Sequence, residues 1–145
     1  MVQKLTELGV GRIVPVLADR GEVDEAACLR SRARWRRIAL ESCKQCGRSR
    51  IPELDPPGSL SDVLRRTAAR ALLAQPGGKP LPKSIDKGLA ILVLVGSEGG
   101  WSESELALAA SLGVQSLGLG PRTLRTETAA IAAAALLQFL AGDLG

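Results

Sequence analysis

At 145 residues, 46% of them hydrophobic and 2% aromatic, the chain is long enough for one domain and too apolar for a disordered segment; its core must be built from Leu, Val, Ile and Ala. The net charge of +4 is modest, so its distribution says more than its sum. The opening MVQKLTELGV is no signal peptide, and the longest apolar run, Ala129–Leu137, has nine residues against the roughly 20 a membrane span needs. A soluble cytoplasmic protein with no membrane partner is expected.

Taken in order, Val2–Leu8 reads as a helix end stopped by Gly9, and Arg12–Leu17 as a strand that Pro15 marks as an edge or a bend. Glu22–Cys46 carries helical periodicity with Gly47 as its stop. Ile51–Leu54 is a short strand, Asp55–Gly58 a turn, and Ser59 or Ser61 the cap of a helix through Arg66. Ala71–Ala74 reads as a strand, and Gln75–Gly88, with three prolines and three glycines, as a loop. Leu89–Val95 is a continuous apolar run of the kind a buried parallel strand shows. Ser102 caps a helix ended by Gly113, Val114–Leu119 is a strand, and the last helix spans Thr126–Leu140 with Thr126 as its cap. Strands alternating with helices predict an α/β fold, a mainly parallel sheet with helices on both faces.

Ligands of such sheets bind beyond the carboxyl ends of strands, and two of those ends are unusual here. Gly96, Gly99 and Gly100 form one glycine turn, and Leu119-Gly120-Pro121-Arg122 another. Neither matches a GxxxxGK[ST] or GxGxxG phosphate loop, and Pro121 lacks an N–H that a phosphate would need. One such turn would be an ordinary strand-to-helix connection; two, each with ionisable residues, favour a site for a ligand held by backbone groups and an apolar wall. Glu127 suits the first turn of its helix, whereas Arg122 and Arg125 oppose the helix dipole and call for a carboxylate or an anionic ligand.

Cys43-Lys-Gln-Cys46 has redox or metal spacing, but there is no second CxxC and the chain has 0 His, so a Cys/His zinc site cannot be completed and no metal is expected. On the same helix Cys28, Trp35, Ala39, Ser42 and Cys46 line one weakly apolar stripe, which reads the cysteines as core-facing. A second stripe runs Arg30, Arg34, Arg37, Glu41, Lys44 and Arg48, with five of six members basic. It fits a phosphate-backbone footprint and plain solubility equally well.

LVGSEGGWSESEL, LGLGPRTLRTETAAIAAAALLQ, the opening VQKLTELGV, ESCKQCGRSRIPEL and the terminal GDLG together resemble the ribosomal RNA small-subunit methyltransferase E family, in the same order and over essentially the whole chain. That family belongs to the SPOUT superfamily, so the resemblance implies a trefoil knot near the C-terminus. It further implies an obligate homodimer that uses S-adenosylmethionine to methylate N3 of a uridine in 16S rRNA of the small ribosomal subunit. Carried over residue by residue, the cofactor pocket would take Val95, Gly96, Glu98, Gly99 and Gly100 from the first turn and Leu117, Leu119, Gly120, Leu124, Arg125 and Thr126 from the second. Leu73, Ala74 and Gln75 would form a third wall. Arg125 or Arg122 could stabilise the anion developing on the uracil, and Glu98 or Glu127 could accept the N3 proton. Arg30, Arg34, Arg37, Lys44 and Arg48 would be the RNA-binding residues.

The chain departs from the family pattern at several points. Residues 1–145 are expected to form the single SPOUT-like domain alone, without the family's N-terminal PUA-like domain and first strand. Ser97 stands where the family usually has Pro, and Gln75-Pro76 where His-Pro is the expected pair. Two other functions fit the same residues: methylation of another RNA position, such as a tRNA ribose, and a dimeric RNA-binding module that has lost turnover.

Overall fold

The computed structural model describes residues 1–22, 24–67, 69–86 and 88–144. The element order is α1 (Val2–Glu7), β1 (Arg12–Ile13), β2 (Val16–Leu17), α2 (Glu25–Cys46), β3 (Glu53–Leu54), β4 (Gly58–Ser59), α3 (Leu60–Arg66), β5 (Arg70–Ala74), β6 (Ile91–Val95), α4 (Glu103–Ser111), β7 (Gln115–Leu117) and α5 (Thr126–Ala141). Among the described residues every strand pairing is parallel, as the alternation of strands and helices predicts. Among the described residues no helix is long and apolar enough to cross a membrane.

The single strand expected over Arg12–Leu17 is divided at Val14-Pro15, and its halves pair separately, β1 with β3 and β2 with β4. Proline has no N–H to give a ladder, yet the Pro15 carbonyl still accepts from Gly58 N at 3.2 Å, so the chain bends and continues. The start of α2 falls later than Glu22, because Asp24 caps it through a 2.6 Å bond from Ala27 N; Val23, within the expected helix, and Lys87, within the expected loop, lie outside the described residues. Ser59, rather than Ser61, caps α3.

The three-stranded sheet has the order β6-β5-β7, with β5 in the middle. Successive residues of β5 point to opposite faces. Leu73 joins Leu94, Trp101 and Ala109 in a core with Leu60, Val63 and Leu64 of α3, whereas Leu72 joins Leu117, Ile85, Ala133 and Leu137 of α5. Helices therefore cover both faces.

The last helix is apolar nearly all round, yet its buried residues, Ala129, Ala133, Ala134 and Leu137, lie on one side only. Leu136 is 44% exposed and Phe139 63%.

Candidate functional site

Parallel pairing brings three strand ends to one edge. Ala74 at the end of β5 is in register with Val95 of β6 and with Leu117 of β7, so the segments after all three strands leave the sheet side by side. These are the segments that hold the residues singled out from sequence.

Cross-links then fix the segments to one another. Gln75 N donates to the Leu117 carbonyl at 3.0 Å. Trp101 Nε1 donates to the Ala74 carbonyl at 3.3 Å, and Thr126 Oγ1 to the Gly96 carbonyl at 2.8 Å. The first bond joins the third wall to the second turn, the next joins it to the first, and the last closes the ring. Leu73, Ala74, Gln75, Val95, Gly96, Leu117 and Thr126 thus belong to one connected edge.

The helix-cap reading of Thr126 is corrected by that last bond. Thr126 is the first residue of α5, and the N-cap is Arg125, which makes no side-chain cap bond. The Thr126 hydroxyl is engaged across 30 residues of sequence with the other glycine turn and is absent from its own helix terminus.

The backbone of this edge is closely packed on one side and open on the other. Gly118 N donates to the Lys79 carbonyl at 2.7 Å, Lys79 N donates to Ser116 Oγ at 3.3 Å, and Pro80 bridges Gly118. A Cβ on Gly78 would stand 2.5 Å from the Leu117 carbonyl carbon, and one on Gly118 would collide with the Gly78 carbonyl, so the segment after β5 crosses the end of β7 where no side chain fits. In contrast, Gly100 and Gly120 have left-handed φ values of +69° and +99°, and a Cβ on either would meet open space. Gly100 N closes its turn on the Ser97 carbonyl at 2.9 Å.

Glu98, Arg122 and Arg125 are exposed at the tips of these turns, and Leu119 and Leu124 are half-buried. Among the described residues no carboxylate lies within 4.0 Å of Arg122 or Arg125. Both guanidinium groups are thus exposed and without an anionic partner among the described residues. Glu127 lies 3.5 Å from the Met1 ammonium.

The basic residues of α2 are not part of this edge, since α2 packs on α1 and β3. Arg30, Arg34, Arg37 and Lys44 are exposed, Lys44 in an ion pair with Glu41 at 2.9 Å. Arg48 turns inward, donating from Nη1 to the carbonyls of Thr6 at 2.7 Å and Val10 at 3.0 Å. Its charge holds the end of α1 and does not extend the exposed stripe. Cys46 also departs from the sequence reading: Cys28 and Cys43 are buried, but Cys46 is exposed.

Sequence reading passed over the turn after β2. Ser97 Oγ donates to the Arg20 carbonyl, and Ser102 Oγ to Asp19 Oδ2. Hydrogen bonds from Ser102 and then Ser104 hold the Asp19 carboxyl below the usual aspartate range. The signal was available, because Ala18–Arg20 also follows the carboxyl end of a strand.

The chain matches the model of the RNA methyltransferase domain over residues 1–138. Its relatives include the ribosomal RNA small subunit methyltransferase E of Buchnera aphidicola subsp. Schizaphis graminum, 35% identical over 99% of this chain and 60% of that protein. The protein of the same name from Aquifex aeolicus is 34% identical over 94% of this chain and 60% of its own length. Among solved structures, a putative methyltransferase from Legionella pneumophila in complex with S-adenosylmethionine superposes with a TM-score of 0.89 at 37% identity, over 99% of this chain and 61% of that one. The ribosomal RNA small subunit methyltransferase E from Neisseria gonorrhoeae, bound to S-adenosyl methionine, gives a TM-score of 0.88 at 37% identity with the same coverage. The chain thus spans about 60% of the length of the curated relatives it matches.

Proposed function

The chain belongs to the RNA methyltransferase domain family, and from that premise we propose that it uses S-adenosylmethionine to methylate N3 of a uridine in 16S rRNA of the small ribosomal subunit, in the cytoplasm and as a homodimer. The observation that carries this reading is the ring of three parallel strand ends closed by the Thr126–Gly96, Trp101–Ala74 and Gln75–Leu117 hydrogen bonds. A knot near the C-terminus is part of the proposal, and the close crossing of Gly78 over Leu117–Gly118 supports it.

The residues present suit the methyl donor. It carries no phosphate, and this edge offers backbone groups, open space beside Gly100 and Gly120, and the apolar side chains of Leu119 and Leu124. Val95, Gly96, Glu98, Gly99 and Gly100 would hold it from one side, Leu117, Leu119, Gly120, Leu124, Arg125 and Thr126 from the other, with Leu73, Ala74 and Gln75 as the third wall. When bound, the donor supplies an electrophilic methyl group, so the chain's own task is to orient the base and to manage one proton.

Arg125 and Arg122 are exposed at the second turn and free of carboxylate partners among the described residues, as a cation that stabilises the anion developing on uracil N3 must be. Glu98, exposed on the neighbouring turn, would accept the N3 proton. Arg30, Arg34, Arg37 and Lys44 would contact RNA phosphates at a distance from the chemistry.

Labelled methyl transfer to small ribosomal subunits that lack the modification tests the substrate, and calorimetry with S-adenosylmethionine tests the cofactor. Arg125→Ala is expected to lower turnover about a hundredfold or more with an unchanged melting temperature. Unaltered turnover would remove Arg125 from its role. Absence of donor binding in the parent chain would favour an RNA-binding module without turnover.

A further inference from the structure

The turn after β2 grips the first glycine turn from a distant part of the sequence. Ser97 Oγ donates to the Arg20 carbonyl at 3.1 Å, and the Arg20 guanidinium donates to the Gly99 carbonyl at 3.5 Å. Gly99 is pressed against Arg20, since a Cβ there would stand 2.9 Å from both the Arg20 Cβ and its carbonyl oxygen. One residue earlier, Asp19 Oδ2 accepts from Ser102 Oγ at 2.6 Å and from Ser104 Oγ at 3.1 Å. Asp19 N donates to buried Glu105 at 3.1 Å, and the other Glu105 oxygen accepts from Ser102 N at 2.8 Å, completing the capping box of α4. The contacts fall at both ends of one short segment, on Ser97–Gly99 and on Ser102–Glu105.

We propose that Asp19 and Arg20 are positioning residues for the Gly96–Gly100 turn, touching neither ligand nor base but holding the turn in its binding shape. The proposal rests on the reading of this turn as one wall of the donor pocket.

The physical reason is conformational entropy. Gly96, Gly99 and Gly100 lose more backbone freedom on ordering than any other residue type would, and the turn's own hydrogen bond is the single one from Gly100 N to the Ser97 carbonyl. Trp101 anchors the far end to Ala74. That one bond leaves the Ser97 side chain and the Gly99 carbonyl free, and the bonds to Arg20 hold both. A turn released from Arg20 spreads over other shapes, and apparent affinity falls with the fraction that remains competent. The hydroxyl bonds to Asp19 favour its ionised form, the form that accepts from both serines at once.

The test uses the full chain with S-adenosylmethionine, read by titration calorimetry and by amide hydrogen exchange over residues 96–106. Asp19→Ala and Ser97→Ala are each expected to weaken binding about five- to tenfold and to speed exchange in that segment. The loss should appear in KM for the donor more than in kcat. Asp19→Asn, which keeps one acceptor oxygen, should recover part of it, and the double variant should lose less than the sum of the two. Unchanged affinity in both single variants overturns the proposal, whatever the exchange shows, because a contact that loosens without consequence for binding is only structural. If the parent chain binds no donor, the pocket reading falls by itself and exchange alone judges the grip. Protection lost on Asp19→Ala would then leave the contact as a structural one only, and the positioning role would fall with the pocket.

Discussion

Cys28, Cys43 and Cys46 share one helix and meet different surroundings. Burial, and secondarily the negative charge of Asp24, push the Cys28 thiol up. Cys43 is buried with its thiol directed at the Arg50 carbonyl, 3.5 Å away, while Cys46 is exposed. Brief alkylation of the native chain followed by peptide mapping should therefore label Cys46 first, with Cys28 labelled only on unfolding. Equal labelling of Cys28 would contradict the packing described. Cys28 and Cys46 are 18 residues apart, five full turns, so a helical wheel places them at one angle. The wheel gives the angle around the axis but not how far along the axis the helix is covered, which is why the sequence reading of Cys46 failed. Asp19 yields a pH prediction of definite sign. Its folded carboxyl is held down by the Ser102 and Ser104 hydroxyls, so it contributes stability above the ordinary aspartate value of about 4 and loses that contribution as pH falls through the lower folded value. The melting-temperature gap between the parent and Asp19→Asn should narrow as pH falls from about 5 to about 3; a constant gap would show that the serine bonds do not depend on the charge.

At the scale of elements, β5 and β6 were legible because Ala71–Ala74 and Leu89–Val95 are apolar without interruption, and a strand lacking polar alternation needs cover on both faces. Their starts were not, since pairing decides them: Arg70 meets Ile91, so β5 begins one residue before its apolar run and β6 two residues into its own. The two-residue strands were less legible still, because their limits are set by which distant segment pairs with them and where Pro15 interrupts. Thr126 shows the same limit within the candidate site. A threonine before an apolar run reads locally as a cap, and only the folded chain brings Gly96 to its hydroxyl. Arg48 separates a structural cation from its exposed neighbours. It donates to two carbonyls at the end of α1 from a half-buried position, so Arg48→Ala is expected to cost about 1–3 kcal/mol in urea unfolding. Arg34→Ala, at an exposed position, should stay within about 0.5 kcal/mol and, on the proposed function, weaken RNA binding instead. A reversed pattern would exchange their roles.

At the scale of the whole molecule, the abrupt change from the charged Arg122–Glu127 turn to an alanine-rich helix has a physical account. The inner side of α5 packs Ala133 and Leu137 on Leu72 and Leu117 of the sheet, on the face opposite α3 and α4. The outer side, with Leu136 and Phe139, has no cover within the described chain. Two large side chains are too little for a stable interface, which takes about 800 Å² from each partner. The half-buried Ala132 and Ala135, one turn before Leu136 and Phe139 respectively, are small enough to let a second helix approach closely and widen the contact. A second copy of the chain, proposed above as the dimer partner, would cover this side while leaving the turns at the other end of the helix free for ligand. Sedimentation of the parent chain is then expected to give about 30 kDa, twice 15.2 kDa. Leu136→Asp with Phe139→Asp would place two carboxylates in an apolar contact, where burying an unpaired charge costs several kcal/mol. That variant should sediment at 15.2 kDa with its helical content unchanged, because neither side chain belongs to the buried core. A parent chain that stays monomeric at high concentration, or a variant that still dimerises, would take α5 out of the interface.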